Sequence, residues 1–256
     1  DQALGQASRT FEELVNRQRE QLVSEVKVLA DDNRIRATVL APKFDEATVQ
    51  DVLEDLRKSS GASLLAVLDA TGKVQAVTGA VGLKQVDLSG STAVRAAFER
   101  PTSDIWTLPD QVQVIGLAPI RSGTETPALL VKGLPLGKGQ LATVEAVLGI
   151  SGAVFIGDRI AAASSDSAQN NEALRGAGRL ADGLDDLSAG GHAYRVKIAR
   201  AGEGATAARL AWLVPHRRAI DRARLLTLLV WGPVPIGGLL LLLALVTSRR
   251  TNGGNS

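Results

Sequence analysis

Two short stretches of this chain share one design, and that repetition constrains the fold more than any other feature. Residues 64–79 read LLAVLDATGKVQAVTG, and residues 152–166 read GAVFIGDRIAAASSD. In each, a run of strand-forming apolar residues meets a turn that contains Gly and Asp and is followed by a second such run, the pattern of a β-hairpin. The segments downstream of the two hairpins also match. After the first, 91–99 reads as a short helix, and 111–118 and 128–132 read as a closing hairpin around a loop rich in Gly, Thr and Ser. After the second, whose strands fall at 153–156 and 160–163, a polar helical stretch at 171–180 precedes a closing hairpin of 192–199 and 207–213. Residues 140–148 read as a connecting helix. The predicted class is therefore α+β, with two antiparallel-sheet modules in series.

Ahead of the modules lies helix. Phe11, Leu14, Val15, Leu22, Val26 and Leu29 recur at helical spacings among Glu, Gln and Arg, which predicts an amphipathic helix over about 3–29. It spans about 40 Å at 1.5 Å per residue, the length of a spine along its own modules or of a coiled-coil pair in a homodimer. A second helix is predicted after Asp45, with Val49, Val52, Leu53 and Leu56 on one face and Gly61 as its stop.

At the other end, 225–246 reads LLTLLVWGPVPIGGLLLLLALV without a charge. As a helix it is about 33 Å long, which matches a hydrocarbon core of about 30 Å, so a transmembrane helix is predicted there with a kink near 232–235. Arg217, Arg218, Arg222 and Arg224 precede the span, and Arg249 and Arg250 follow it. By the positive-inside rule that balance opposes an external N-terminal part. The expected orientation nevertheless places residues 1–220 outside. The opening DQALGQ lacks an initiator Met, and a first span ahead of it would dominate topology. Residues 251–256, TNGGNS, read as a flexible tail.

Composition excludes several function classes. With 29 Lys and Arg against 27 Asp and Glu, the net charge is +2, not the basic footprint of a nucleic-acid binder. No cysteine is present, so thiol nucleophiles, disulfides and thiolate metal sites are excluded. His192 and His216 are the whole histidine supply, too few for histidine metal clusters, and no metal or other cofactor is expected. His216 sits among arginines as an interfacial residue, and His192 at a strand start. Asp31–Asp32 and Asp185–Asp186 read as helix-capping or solvated pairs. Gly137, Gly139 and Ala142 spell G-x-G-x-x-A before a helix. The strand ahead is predicted to end near Lys132, however, and a phosphate-cradling turn must follow its strand directly. That loop reads as a connector, and no enzyme activity is predicted.

The element order, with LLAVLDATGKVQAVTG and GAVFIGDRIAAASSD opening its halves, resembles the double Cache extracytoplasmic sensor domains, whose two modules are PAS-like. The resemblance covers about residues 1–248. It implies a helical part at 1–60, a membrane-distal module at 61–139, a membrane-proximal module at 140–220, the span with its flanks at 221–250 and a tail at 251–256. It further implies a bacterial inner-membrane receptor with residues 1–220 periplasmic, whose distal module takes a small ligand such as a carboxylate or amino acid. The signal then passes to a kinase, chemotaxis or cyclic-nucleotide output. A pocket is expected between the first sheet and a cover formed by 89–108. There Arg95 can clamp a carboxylate, Trp106 offers an indole donor and an apolar wall, Gln113 can face inward, and Lys132 is a further cation. A solvated helix face for Arg95 and plain core for Trp106 are the competing readings. Tyr194 and Arg195 are the counterparts in the second module. The alternative function is a membrane-anchored structural protein of an envelope assembly whose modules bind protein partners.

Overall fold

The computed structural model describes residues 1–79, 81–86, 88, 90–164, 168–201 and 208–215, and within it the repeat becomes two sheets of one topology. Helices α1 (Gln2–Ala30), α2 (Asn33–Val39) and α3 (Glu46–Ser60) come first. The first module is built of β1 (Leu64–Asp69), β2 (Val74–Thr78), a 3₁₀ turn at Val81–Gln85, α4 (Thr92–Ala97), β3 (Thr102–Thr107), β4 (Val112–Ser122) and β5 (Glu125–Pro135). Helix α5 (Lys138–Leu148) leads into β6 (Ser151–Ile156), β7 (Arg159–Ala163), α6 (Ala168–Ala177), β8 (Gly183–Ala189), β9 (His192–Ala201) and β10 (Ala208–Pro215). The sheets run β2-β1-β5-β4-β3 and β7-β6-β10-β9-β8. The second order is the first with five added to every strand number, so the two opening hairpins occupy the same place in two copies of one architecture.

The helix ends follow their capping chemistry. Asp45 opens α3 by accepting from Ala47 N, and Gly61, at φ 64°, closes it in the left-handed region that glycine adopts without penalty. Asp32 caps α2, its carboxylate accepting from Arg34 N at 2.8 Å; α2 was not predicted. Glu54 ties α3 to β2 by accepting from Arg57 and from the Thr78 hydroxyl, and these bonds push its carboxyl down to about 2.

Both modules contain a strand that the sequence pattern does not reveal, at the same topological position. Residues 102–107, expected as part of a cover, form the edge strand β3 paired with β4 from Thr102↔Leu117 to Thr107↔Val112. Asp185 and Asp186, expected as solvated or capping residues, are exposed and lie in the edge strand β8. TSDIWT and GLDDLSA carry few apolar residues because an edge strand meets water along one side. The closing hairpin of the first module is also longer than expected, for β4 and β5 turn over only Gly123 and Thr124. Strand β5 runs to Pro135, so the supposed gap before Gly137 is nearly closed. What rules out a dinucleotide site is instead the antiparallel sheet, which leaves α5 to connect modules rather than to cross between parallel strands. Gly137 is needed for close approach, since a Cβ there would stand 2.5 Å from the Ala162 Cβ.

Helix α1 is a spine along both modules. Leu4, Ala7, Phe11, Val15 and Leu22 share one core with Val112 and Val114 of the first sheet, Val154, Leu210 and Trp212 of the second, and Leu141 and Val144 of α5. Val26 and Ala30 instead join α3 and the first sheet. Residues Asp1–Val214 thus form one compact unit. No helix among the described residues is long and apolar enough to cross a membrane. The predicted span at 225–246 lies outside the described residues.

Candidate ligand site

The first sheet has two covered faces, and strand alternation decides which candidate residue meets which. Ile115, Leu117, Leu129 and Val131 face a core completed by Leu83, Leu88, Val94 and Ala97 from the segment between β2 and β3. Ala118, Ile120, Ala128 and Leu130 face α1 and α3.

Trp106 and Gln113 stand directly opposite one another on β3 and β4, so both side chains project from the face that α4 covers. Trp106 is built into that core at 7% exposure, and Gln113 is fully buried. Next to Gln113, β5 carries Gly133, where a Cβ would stand 3.0 Å from Gln113 Oε1 and from Leu64 Cβ. The amide therefore lies flat across a strand that has no side chain at that point.

Ser63, just ahead of β1, is the amide's one described partner, and no feature of the sequence marked it. Its hydroxyl lies 2.7 Å from Gln113 Oε1 and 2.9 Å from the Gly133 carbonyl oxygen. One hydroxyl proton is thus shared between two acceptors, and Gln113 Nε2 is buried without an acceptor. With the amide turned over, Nε2 donates to Ser63 Oγ, whose proton then goes wholly to Gly133, and Oε1 becomes the unpartnered end. In either orientation a fully buried amide keeps one polar end unused, a departure from the rule that buried polar groups are paired.

The two cations do not join this pair. Lys132 lies across from Gly116 on the opposite face of the sheet. There its Nζ donates to Glu25 Oε2 of α1 at 2.6 Å and to the Ser60 carbonyl at 3.1 Å. The bond from Lys132, foremost, holds the Glu25 carboxyl below the usual carboxylate range. Parity places it there: residues 129 and 131 belong to the α4 face, so residue 132 belongs to the other. Arg95 is on α4, whose Val94 and Ala97 are buried, but its own side chain is exposed. In the second module Tyr194 is core, and Arg195 pairs with Asp186 at 2.7 Å and with Asp1 at 3.4 Å.

No protein-family profile matches this sequence, and no curated protein does. Solved structures do match. The periplasmic domain of Vibrio cholerae LuxQ superposes with a TM-score of 0.53 over 83% of this chain and 100% of that one, at 8% identity. A second structure of the same domain gives 0.52 at 9% identity, covering 84% of this chain and 99% of that one. The ligand-binding domain of Pseudomonas fluorescens chemoreceptor CtaA, in complex with L-isoleucine, covers 85% of this chain and 98% of its own at 13% identity. Its TM-score is 0.38. The likeness to LuxQ rests on shape alone at such identities, and it agrees with the two sheets of one order strung along a helical spine. By fold, this chain is built as the LuxQ periplasmic domain is, with two five-stranded antiparallel sheets of one order along a helical spine.

Proposed function

We propose that this chain is the extracytoplasmic sensing part of a membrane-anchored receptor and binds a small polar ligand in its first module, between α4 and the sheet. The observation that carries this reading is the buried Gln113 amide with one unused end, beside the indole of Trp106. An apolar core gains nothing from such a group, whereas a ligand carboxylate or ammonium can complete it. Trp106 supplies the apolar wall, Ser63 holds the amide, and Arg95, exposed on the covering helix α4, is the proposed cation for an anionic ligand. Amino acids and small organic acids fit this set. Transmission needs the ligand to favour one arrangement of α4 and the spine over another, since equal affinity for both shifts nothing. The uncharged stretch at 225–246 is the proposed anchor and the route of the signal. The fold is that of the LuxQ periplasmic domain, which supports the sensing reading, and no catalytic role is proposed for any residue.

The test is calorimetry of the full chain against amino acids and organic acids, with Gln113→Leu alongside. Removing an unpaired polar group from a core is neutral or stabilising, by up to about 1–2 kcal/mol. Gln113→Leu is therefore expected to unfold at equal or higher urea concentration while losing the ligand. If it loses stability and keeps the ligand, the amide is structural and the site lies elsewhere. If no compound in either class binds the parent chain, the sensing reading falls.

A further inference from the structure

The second module carries a cleft of about 560 Å³ lined by Asp158, Arg159, Ile160, Asn171, Arg175 and Arg179. Three guanidinium-bearing residues face one carboxylate there. Asn171, Arg175 and Arg179 succeed one another at four-residue spacing, along α6 and just past its end, and so lie on one side of it. Arg159 comes from β7, across the cleft.

Arginines near the end of a helix ordinarily answer its free carbonyls or pair with nearby carboxylates. Here that work is done by another residue. Arg209 donates from Nη1 to the Gly178 carbonyl at 2.9 Å and from Nη2 to the Leu180 carbonyl, and its Nε reaches Asp182 at 3.2 Å. Among the described residues, the guanidinium of neither Arg175 nor Arg179 has a carboxylate within ion-pair distance or a hydrogen-bond acceptor. Arg159 is anchored differently: its Nη2 donates to the Pro109 carbonyl at 2.6 Å and lies 3.8 Å from Asp110. Both belong to the turn between β3 and β4, so the cleft opens beside the joint between the modules.

We infer that this cleft is a second binding site, separate from the one at Gln113, for a small soluble oxyanion of two or more negative charges. Two unpaired guanidiniums on one helix side and a third opposite them can present paired donors to carboxylate or phosphate oxygens from two directions, with the Asn171 amide as a neutral donor. Asp158 sets a lower limit on ligand charge, because a monoanion gains little where one carboxylate is already present. The register of β6 with β10 runs from Phe155↔Arg209 to Ser151↔Leu213. The Gly157–Asp158 turn is therefore at the end of the sheet remote from Leu213.

The test is calorimetric titration of the full chain, at low ionic strength, with inorganic phosphate and separately with the tricarboxylate tricarballylate. Saturable binding of at least one is expected, and it should weaken with added salt. Arg175→Gln/Arg179→Gln should weaken it by about 30-fold or more, since two charge-assisted contacts are lost. Arg34→Gln/Arg200→Gln removes the same charge from exposed pairs with Asp32 and Asp182 and should leave binding unchanged. No saturable signal from either probe up to about 10 mM, undiminished binding in Arg175→Gln/Arg179→Gln, or equal weakening in both double variants overturns the inference.

Discussion

Lys132 shows how one residue's role is set by parity. Its side chain is almost fully enclosed while that of Glu25 remains one-third exposed, at 3% and 34% of their side-chain surfaces. Replacing a buried cation's partner or the cation itself leaves the other charge stranded, and the half-wet Glu25 moderates that penalty. Lys132→Met is expected to cost about 1–3 kcal/mol at neutral pH by urea denaturation. Glu25→Gln/Lys132→Met should recover part of it. Because the folded carboxyl titrates below its ordinary value of 4.5, the pair's contribution is fully present above that value and is lost as pH falls through the folded pKa. The difference between parent and Lys132→Met should therefore shrink in acid. A cost that persists undiminished well below the carboxylate range would show that packing of the lysine stem, not the ion pair, is what matters.

At the scale of elements, the approach of α1 to the first sheet depends on a missing side chain. Gly116 on β4 lies under the spine, where a Cβ would come within 2.8 Å of the Leu22 carbonyl oxygen and 3.1 Å of Val26 Cγ1. The backbone oxygen cannot move aside as a flexible side chain can. Gly116→Ala should push α1 away from β4 and cost about 1–3 kcal/mol, read as a lower urea midpoint. An alanine tolerated there without loss would mean that the spine can shift on the sheet. The two unpredicted strands belong at this scale too. β3 and β8 were illegible because an edge strand buries little and so lacks the apolar run that marked β1, β5, β6 and β10. The other edge strands, β2 and β7, were legible through the Gly- and Asp-containing turns that join them to β1 and β6.

At the scale of the whole Asp1–Val214 unit, the core that Phe11 enters joins α1 and α5 to both sheets. Its ring meets that of Trp212 edge to face, with centroids 5.5 Å apart and planes at 71°, while the same helix packs on Val112 and Val114 of the other sheet. The two modules should therefore unfold as one cooperative unit. Trp106 reports on the first module and Trp212 on the second once Trp231 is replaced, so urea transitions followed by fluorescence in Trp106→Phe/Trp231→Phe and Trp212→Phe/Trp231→Phe should track the dichroism transition of each variant. Phe11→Ala should lower both reporters together, by about 3–5 kcal/mol. Separate transitions would show that the spine does not couple the sheets.

The sequence by itself determined what is local and periodic. The spine is legible from Phe11, Val15, Leu22 and Val26 at helical spacing, α3 from Asp45 and Gly61, and the duplicated hairpin from LLAVLD and GAVFI with their turns. These signals are strong because each residue's burial depends on its neighbours a few positions away. Only the tertiary structure decided which residues meet. It set Trp106 and Gln113 on one face and Lys132 on the other, left Arg95 in solvent, and revealed Ser63 as the partner of the Gln113 amide. It also brought Arg159 to Arg175 of α6 and to Arg179 just past its end. Those juxtapositions depend on strand register and on which strands become neighbours, and a shift of one residue would exchange the two faces. Local spacing carries no such information, because the pairing that fixes it is made between segments far apart in the chain.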